Sequence, residues 1–446
     1  MLIEYSIENF RSISETKKFS LLPAKGSSKP GNLLTIEDNK NIKKLLKSCV
    51  IYGANASGKT NVIYALHIIR DLVLNSKNYN VGDEVNGYFP FALDSKYSNK
   101  PTKFMIHFIK DHIEYKYGFS YTSEKIISEE LLYYKGKKER YFFKRNLDKI
   151  EPSEDMEELT NLFRNTGDNV LFLSKANNEY KKFKPVFEWF SKNISIFGTA
   201  MGPLFPLLSP EFTISYMNSS PENKQKVLKL LHYADFNISD IKGKTVPVGN
   251  KPLEDFKTYI LSMVIDAQDK IDTIEKKISP TVLKERLNKP VSYSPSLFEL
   301  MSVRETSDGK TIIKDFVPFE SAGTTQFFNI IGLWLEALQD ENKVIVIDEF
   351  DTRLHPDLQI YLIQLFHDPE INRKNSQLII TSHNTRLLAL DIFRREQILF
   401  TEKNTESQST EFFSLYDYEK RQDRSVEKNY FFGRYGALPD ITYGEI

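Results

Sequence analysis

The segment Gly53-Ala54-Asn55-Ala56-Ser57-Gly58-Lys59-Thr60 narrows the folds open to this chain more than any other. Its spacing is that of a phosphate-holding loop, which works only between a buried strand and a helix. Both flanks are in place. Cys49-Val50-Ile51-Tyr52 reads as a buried strand, and Asn61 to Leu74 as a helix with Val62, Leu66, Ile69 and Val73 on one face. Glycines let the backbone wrap tightly, so successive N–H groups converge on phosphate oxygens at a helix N-terminus. Lys59 is placed to offer a mobile charge to the β- and γ-phosphates, and the Thr60 hydroxyl to bind Mg²⁺.

A loop of this kind needs an acidic partner. The apolar run Val344-Ile345-Val346-Ile347 delivers Asp348-Glu349 at the end of a second buried strand. Asp348 suits Mg²⁺, directly or through water, and Glu349 suits the orientation and deprotonation of an attacking water. Ser321-Ala322-Gly323 precedes an apolar helix, so the Ser321 hydroxyl and the Gly323 N–H sit at its positive end, apt for an anion. Thr381-Ser382-His383-Asn384 follows the strand Leu378-Ile379-Ile380 and puts His383 at the same strand-end edge. Ser-x-Gly before a helix is ordinary capping when it stands alone, and a strand-end histidine is usually structural. The order of all four segments is what carries weight.

With 446 residues the chain has room for two or three domains and a sizeable core. Its longest apolar stretch, Phe327 to Leu338, is broken by Asn329 and Glu336 and is too short to span a bilayer. Glu4 and Glu8 stand where a secretory h-region would be apolar, so no membrane role and no export are expected. The single Cys49 excludes a disulfide framework or a cysteine zinc site and points to a reducing, cytoplasmic setting. Sixty cationic residues balance sixty acidic ones, so any hold on nucleic acid must come from a local patch. One candidate is the cluster Lys135, Lys137, Lys138, Arg140, Lys144 and Arg145 interleaved with Tyr133, Tyr134, Tyr141, Phe142 and Phe143. A hairpin turning at Gly136 with cations outward and aromatics inward accounts for the same pattern and is preferred.

Three regions follow: an N-terminal lobe over 1–200 with the loop and a small antiparallel sheet from about 88 to 148, a helical insertion over 201–310, and a C-terminal lobe over 311–446. Met1 to Ile13 reads as a strand and Lys18 to Leu21 as another. Within the insertion, Ser220-Pro221-Glu222 is a helix start. Apolar residues from Leu253 to Ile278 recur at steps of three and four, giving a core-facing helix that Pro280 stops.

The ordered motifs resemble the ABC-type ATPases, in particular SMC-like heads, with Asn9-Phe10-Arg11 at the start of the chain and Gly58-Lys59-Thr60-Asn61 in the loop. That resemblance implies an α/β fold: an ABC-type P-loop head with a mixed sheet core, a small antiparallel β-subdomain and an inserted helical subdomain. It implies ATP and Mg²⁺ as cofactors, held by Gly53, Asn55, Ala56, Ser57, Gly58, Lys59, Thr60 and Asn61, with Arg11 near the nucleotide. Ser321 and Gly323 would be the signature motif, Asp351 the inter-subunit loop, Glu349 and His383 the catalytic pair, and Thr60 with Asp348 the metal ligands. It also implies a homodimer, open to higher assembly, in which each copy's signature completes the other's site around ATP. Glu320-Ser321-Ala322-Gly323-Thr324, Leu354-His355-Pro356 and the ending Tyr430 to Pro439 are similar to RloA-type ATPases of bacterial anti-phage and abortive-infection systems. Such a chain would act through a separately encoded effector, an RloB-like nuclease or toxin, since no room is left for a nuclease domain of its own. The alternative is a DNA-repair or recombination ATPase that binds DNA directly. One departure from the pattern stands out: no Gln precedes Gln225, so the glutamine these ATPases bring to Mg²⁺ and water is missing, and Phe89-Pro90-Phe91 occupies the equivalent stretch.

Overall fold

The computed structural model describes the chain except for residues 27, 38, 154–155, 178, 199–206, 235, 248–295, 389–390, 419–425 and 436–446, and describes 244–247 and 296–299 by backbone alone. The expected helix from Leu253 to Ile278, its stop at Pro280 and the ending Gly436 to Pro439 lie outside the described residues. The chain divides into two compact units, one of Met1–Leu208 with Glu336–Ile446, the other of Ser209–Leu335.

The first unit holds two large sheets. The strands Ile194–Gly198, Val344–Asp348, Gln377–Thr381, Ser48–Gly53 and Ile398–Lys403 run parallel in that spatial order, and Thr410–Ser414 closes the sheet as an antiparallel hairpin partner. Three of them, Ser48–Gly53, Val344–Asp348 and Gln377–Thr381, are buried along their whole length, which is why their sequences read as unbroken apolar runs. Parallel strands end on one side of a sheet. Gly53, Asp348 and Thr381 therefore lie on a shared edge before any side chain is considered.

The second sheet is a seven-stranded antiparallel meander in which Leu2–Glu8 and Lys17–Ser20 extend the hairpins of Thr102–Lys110, Ile113–Tyr121, Ile126–Lys135, Lys138–Asn146 and Lys149–Pro152. The first strand is shorter than its alternation suggests, because Asn9 and Arg11 turn into left-handed backbone with φ of 52° and 51°. Asn9 secures that turn through its side-chain amide, which donates to the Tyr97 and Lys100 carbonyls. The helix Lys59–Asn75 buries Val62, Ile63, Leu66, Ile69 and Val73 in one core cluster with residues of both sheets. Among them Tyr5 donates its hydroxyl to the Val62 carbonyl at 3.0 Å.

Two buried polar devices hold this unit in register. The Gln377 side chain, wholly buried, accepts from the Leu2 N–H at 2.7 Å and donates to the carbonyls of Leu2 and Leu46, tying the first antiparallel strand to the parallel sheet. Glu129 accepts from the Tyr117 hydroxyl and from the Phe172 and Leu173 N–H groups, capping the short helix Phe172–Ala176. Burial raises its pKa, and Arg145, 3.6 Å away and equally buried, opposes that shift. The Arg145 guanidinium donates its hydrogen bonds to the Val170, Leu147 and Asp168 carbonyls. The hairpin Ile126–Lys135 and Lys138–Asn146 does turn at Gly136 (φ 69°), with Lys135, Lys137, Lys138 and Arg140 exposed. Arg145 departs from the expectation of an outward cation because Glu129 claims it.

In the second unit Ser220 caps Pro221–Tyr233 as its sequence predicts, its hydroxyl accepting from the Asn223 N–H at 3.1 Å. This unit is not all helix. Asp240–Pro247, Ser296–Glu305 and Thr311–Asp315 form a three-stranded antiparallel sheet beside Pro210–Ser219, Pro221–Tyr233 and the start of Ala322–Gln339. Lysines and Gly243 inside the first of these strands hide its alternation. Gly332 lets two helices close up, since a Cβ there would stand 2.3 Å from the Thr213 Cα. No described helix is long and apolar enough to cross a membrane.

His367 generates a test of this fold. Burial lowers its ring pKa to about 3, and its Nε2 meets the Ser48 hydroxyl at 2.7 Å. The unfolded chain, with an ordinary histidine pKa near ~6.5, takes up a proton that the folded one refuses. Stability should therefore be full above that value and fall as pH drops toward 3, by up to about 1.4 kcal/mol per pH unit from this group. Urea midpoints measured from pH 7 to 4 should decline less steeply in His367→Gln than in the wild type.

Candidate functional site

Lys59–Asn75 begins bare. Gly58 is its N-cap residue, no side chain caps its first N–H groups, and its first turn carries no acid. Four unpaired donors at a helix start are costly unless something accepts from them, and a phosphate is such an acceptor. The loop that leads into it is wound by Ala56 (φ 63°) and Gly58 (φ 106°) and closed by the Ser57 N–H donating to the Ala54 carbonyl. Asn55 and Ala56 face solvent while Ser57, Gly58 and Lys59 are buried. The Lys59 ammonium donates to the Gly53 and Ala54 carbonyls at 2.8 and 3.1 Å. Burial lowers its pKa, while Asp348, Asp351 and Glu349 draw it back up.

The C-terminal hairpin braces this loop from behind. Thr401 and Ser57 share a hydroxyl contact of 2.6 Å, and Thr410 donates to the Ser57 carbonyl at 2.9 Å. A Cβ on Gly53 would come within 2.2 Å of the Thr401 Oγ1, and one on Gly58 within 2.3 Å of the Thr410 Oγ1. Both glycines are thus required by the cradle that surrounds them. Ser12 completes it, accepting from the Asn61 side-chain amide at 2.6 Å and meeting the Thr410 hydroxyl at 2.7 Å. Nothing in their spacing marks Thr401 or Thr410. They belong to an edge hairpin about 350 residues downstream, and only the sheet order brings them here.

The acidic edge meets the loop directly. The Thr60 hydroxyl donates to Asp348 Oδ2 at 2.9 Å, and the Thr381 hydroxyl donates to Asp348 Oδ1 at 2.6 Å. Glu349, half-buried, has left-handed backbone with φ of 55°, and its N–H donates to the Thr381 Oγ1 at 2.7 Å. Asp351 Oδ2 accepts from the His383 N–H at 3.0 Å, whereas its buried Oδ1 has no hydrogen-bond partner among the described residues. The His383 ring, at the surface, has its pKa lowered by such burial as it has and by the charge of Lys59. Gln359 links the same two loops: its amide donates to the Leu354 carbonyl and its oxygen accepts from the Asn384 side chain, both at 2.8 Å.

Arg11, next to Ser12, lies over the rings of Tyr64 and Phe89 at 5.1 and 5.8 Å, and its N–H donates to the Phe89 carbonyl. The Phe89-Pro90-Phe91 stretch therefore serves as a seat for Arg11. Ser321 and Gly323 belong to the unit Ser209–Leu335, at the start of Ala322–Gln339. There the Ser321 hydroxyl accepts from the Thr324 N–H at 3.1 Å, and Glu320 is held by Arg304 at 2.6 Å.

The donor set fits a phosphate chain with a hard divalent cation. Uncapped N–H groups and a lysine face the first, and a carboxylate with a hydroxyl suits the second. Comparison with known proteins agrees on the family. A family model described as "AAA domain, putative AbiEii toxin, Type IV TA system" matches residues 49–389. Among solved structures the chain is similar to an SMC head domain from Thermotoga maritima, with a TM-score of 0.36 and 12% identity over 93% of this chain and 98% of that one. It is also similar to an SmcHead bound to the C-winged helix domain of ScpA, with a TM-score of 0.37 and 11% identity over 94% and 99%. No curated protein matches the chain.

Gly58→Ala should fail in two ways, through its left-handed backbone and its collision with Thr410. A loss of about 1–3 kcal/mol in urea denaturation is expected, together with loss of fluorescent ATP-analogue binding. An unchanged titration would refute the cradle.

Proposed function

This chain belongs to the AAA domain family and is a P-loop ATPase, and from that premise we propose that it is an ATP-driven switch. In this reading it binds ATP with Mg²⁺, closes as a homodimer and reopens on hydrolysis, controlling a separately encoded nuclease or toxin of a bacterial anti-phage system. The observation that carries the reading is the 2.9 Å hydrogen bond from Thr60 to Asp348, which joins motifs 288 residues apart.

The roles follow from the chemistry of each group. Gly53 to Asn61 would enclose the phosphates, with backbone N–H groups of the loop and helix start as donors. Lys59 would exchange the Gly53 and Ala54 carbonyls for phosphate oxygens, which gives its buried charge an anionic counterpart in place of neutral acceptors. Thr60 and Asp348 would hold Mg²⁺, which when bound supplies charge neutralisation across the β- and γ-phosphates. Glu349 would orient and deprotonate the attacking water, and His383, its ring pKa lowered by burial and by the charge of Lys59, would pair with a phosphate oxygen or that water. Arg11, seated on Phe89 in the stretch that stands where such ATPases carry a glutamine, would be a second cation for the nucleotide.

Closure by a second copy rests on motif order. In heads of the kind the sequence resembles, Ser321 and Gly323 of one subunit clamp the γ-phosphate held by the other, and Asp351 lies in the loop between them. Ligand that binds the closed state better shifts the population toward it, and that shift can be passed to a partner. The family description names a toxin of a Type IV TA system, and the separately encoded effector, an RloB-like nuclease or toxin, rests on the sequence resemblance alone. A DNA-repair ATPase holding DNA directly draws on the exposed Lys135, Lys137, Lys138 and Arg140, and the burial of Arg145 weakens it.

Glu349→Gln is the test. It should keep ATP bound, lose turnover by about a hundredfold or more and accumulate dimer in light scattering. A variant that stays monomeric with ATP bound would sink the clamp.

A further inference from the structure

Thr381 has no role in the account above, yet it touches both acidic residues. It ends the strand Gln377–Thr381, is wholly buried, and contacts the Asp348-Glu349-Phe350 turn three times. Its hydroxyl donates to Asp348 Oδ1 at 2.6 Å and accepts from the Glu349 N–H at 2.7 Å, and its carbonyl accepts from the Phe350 N–H at 3.1 Å. A hydroxyl has one proton to give. With that proton on Asp348, the remaining lone pairs are free for the Glu349 N–H, so the two bonds set each other's direction.

We propose that Thr381 is a positioning residue for hydrolysis, aiming Asp348 at Thr60 and holding Glu349 in its left-handed turn. Two geometric facts support it. Asp348 Oδ2 reaches Thr60 at 2.9 Å while its other oxygen is engaged by Thr381, so the hydroxyl decides which edge of the carboxylate faces the loop. Glu349, with φ of 55°, occupies backbone that a non-glycine residue keeps only when its surroundings impose it. The bonds to the Thr381 hydroxyl and carbonyl hold the Glu349 and Phe350 amides. Without the hydroxyl, Asp348 loses the bond on its Oδ1 and Glu349 loses the bond on its N–H, and the aim of both carboxylates loosens. The inference rests on the ATPase reading for its kinetic consequence, but its structural half does not need nucleotide.

Thr381→Val keeps the shape and removes the hydroxyl, and Thr381→Ser keeps the hydroxyl. In steady-state assays Thr381→Val should lose about tenfold or more in kcat with KM for ATP changed by less than about threefold, and Thr381→Ser should stay near wild type. In the nucleotide-free protein, hydrogen exchange read by NMR should show the Glu349 amide protected in wild type and Thr381→Ser. It should exchange at least about tenfold faster in Thr381→Val. Wild-type kcat in Thr381→Val, or unchanged exchange there, overturns the proposal. If that variant does not fold, the wild-type Glu349 amide decides, since exchange at the rate of an exposed amide also overturns it. A wild type that turns over ATP no faster than Glu349→Gln would instead overturn the switch reading, leaving the exchange result to judge Thr381.

Discussion

A helix that begins without a cap, at the end of a wholly buried strand, is the constraint on which the remaining architecture depends. The strand Ser48–Gly53 brings the backbone to a point where, among the described residues, no side chain caps the first N–H groups of Lys59–Asn75. Glycine and left-handed backbone are needed to make the turn, and hydroxyls of Thr401, Thr410 and Ser12 hold it from behind. An unfilled donor cluster costs free energy that the surrounding fold must offset. Thr401 on a parallel strand, Thr410 on the antiparallel edge strand and Ser12 beyond the sheet hold the loop in place.

Parallel strands also explain how residues far apart in sequence share one edge. Ser48–Gly53, Gln377–Thr381 and Val344–Asp348 are successive neighbours in the sheet, so their carboxyl ends present the loop, Thr381 and Asp348 side by side. Ligands in open α/β sheets bind at such an edge. The antiparallel sheet contributes differently. The turn after its first strand lays Arg11 over Tyr64 and Phe89, and the sheet consumes buried charge internally, with Glu129 and Arg145 paired and Glu129 at the start of Phe172–Ala176. Breaking one partner of such a buried pair leaves an uncompensated charge, which is why it works as a register lock more than as a source of stability.

Much of this was legible beforehand where a motif has its own mechanism. The phosphate loop, the paired acids after an apolar run, Ser220 before Pro221 and the hairpin at Gly136 each carry a local physical reason, and each is found as an element of the expected kind. The sheet of the second unit was not legible, because Asp240–Pro247 mixes lysines and a glycine into a strand whose pairing is decided by Ser296–Glu305. Arg145 looked like its neighbouring cations, and a carboxylate on the adjacent strand together with three backbone carbonyls sets it apart.

The sequence by itself determined the chemistry on offer: a glycine-wound loop, a lysine, a hydroxyl and two carboxylates, each in a context that local periodicity could establish. Tertiary structure decided which atoms meet. Thr381, Thr401, Thr410 and Gln359 are ordinary polar residues in any one-dimensional reading. Their roles arise from strand order, since a hydrogen bond depends on a few tenths of an ångström in space and hardly at all on distance along the chain.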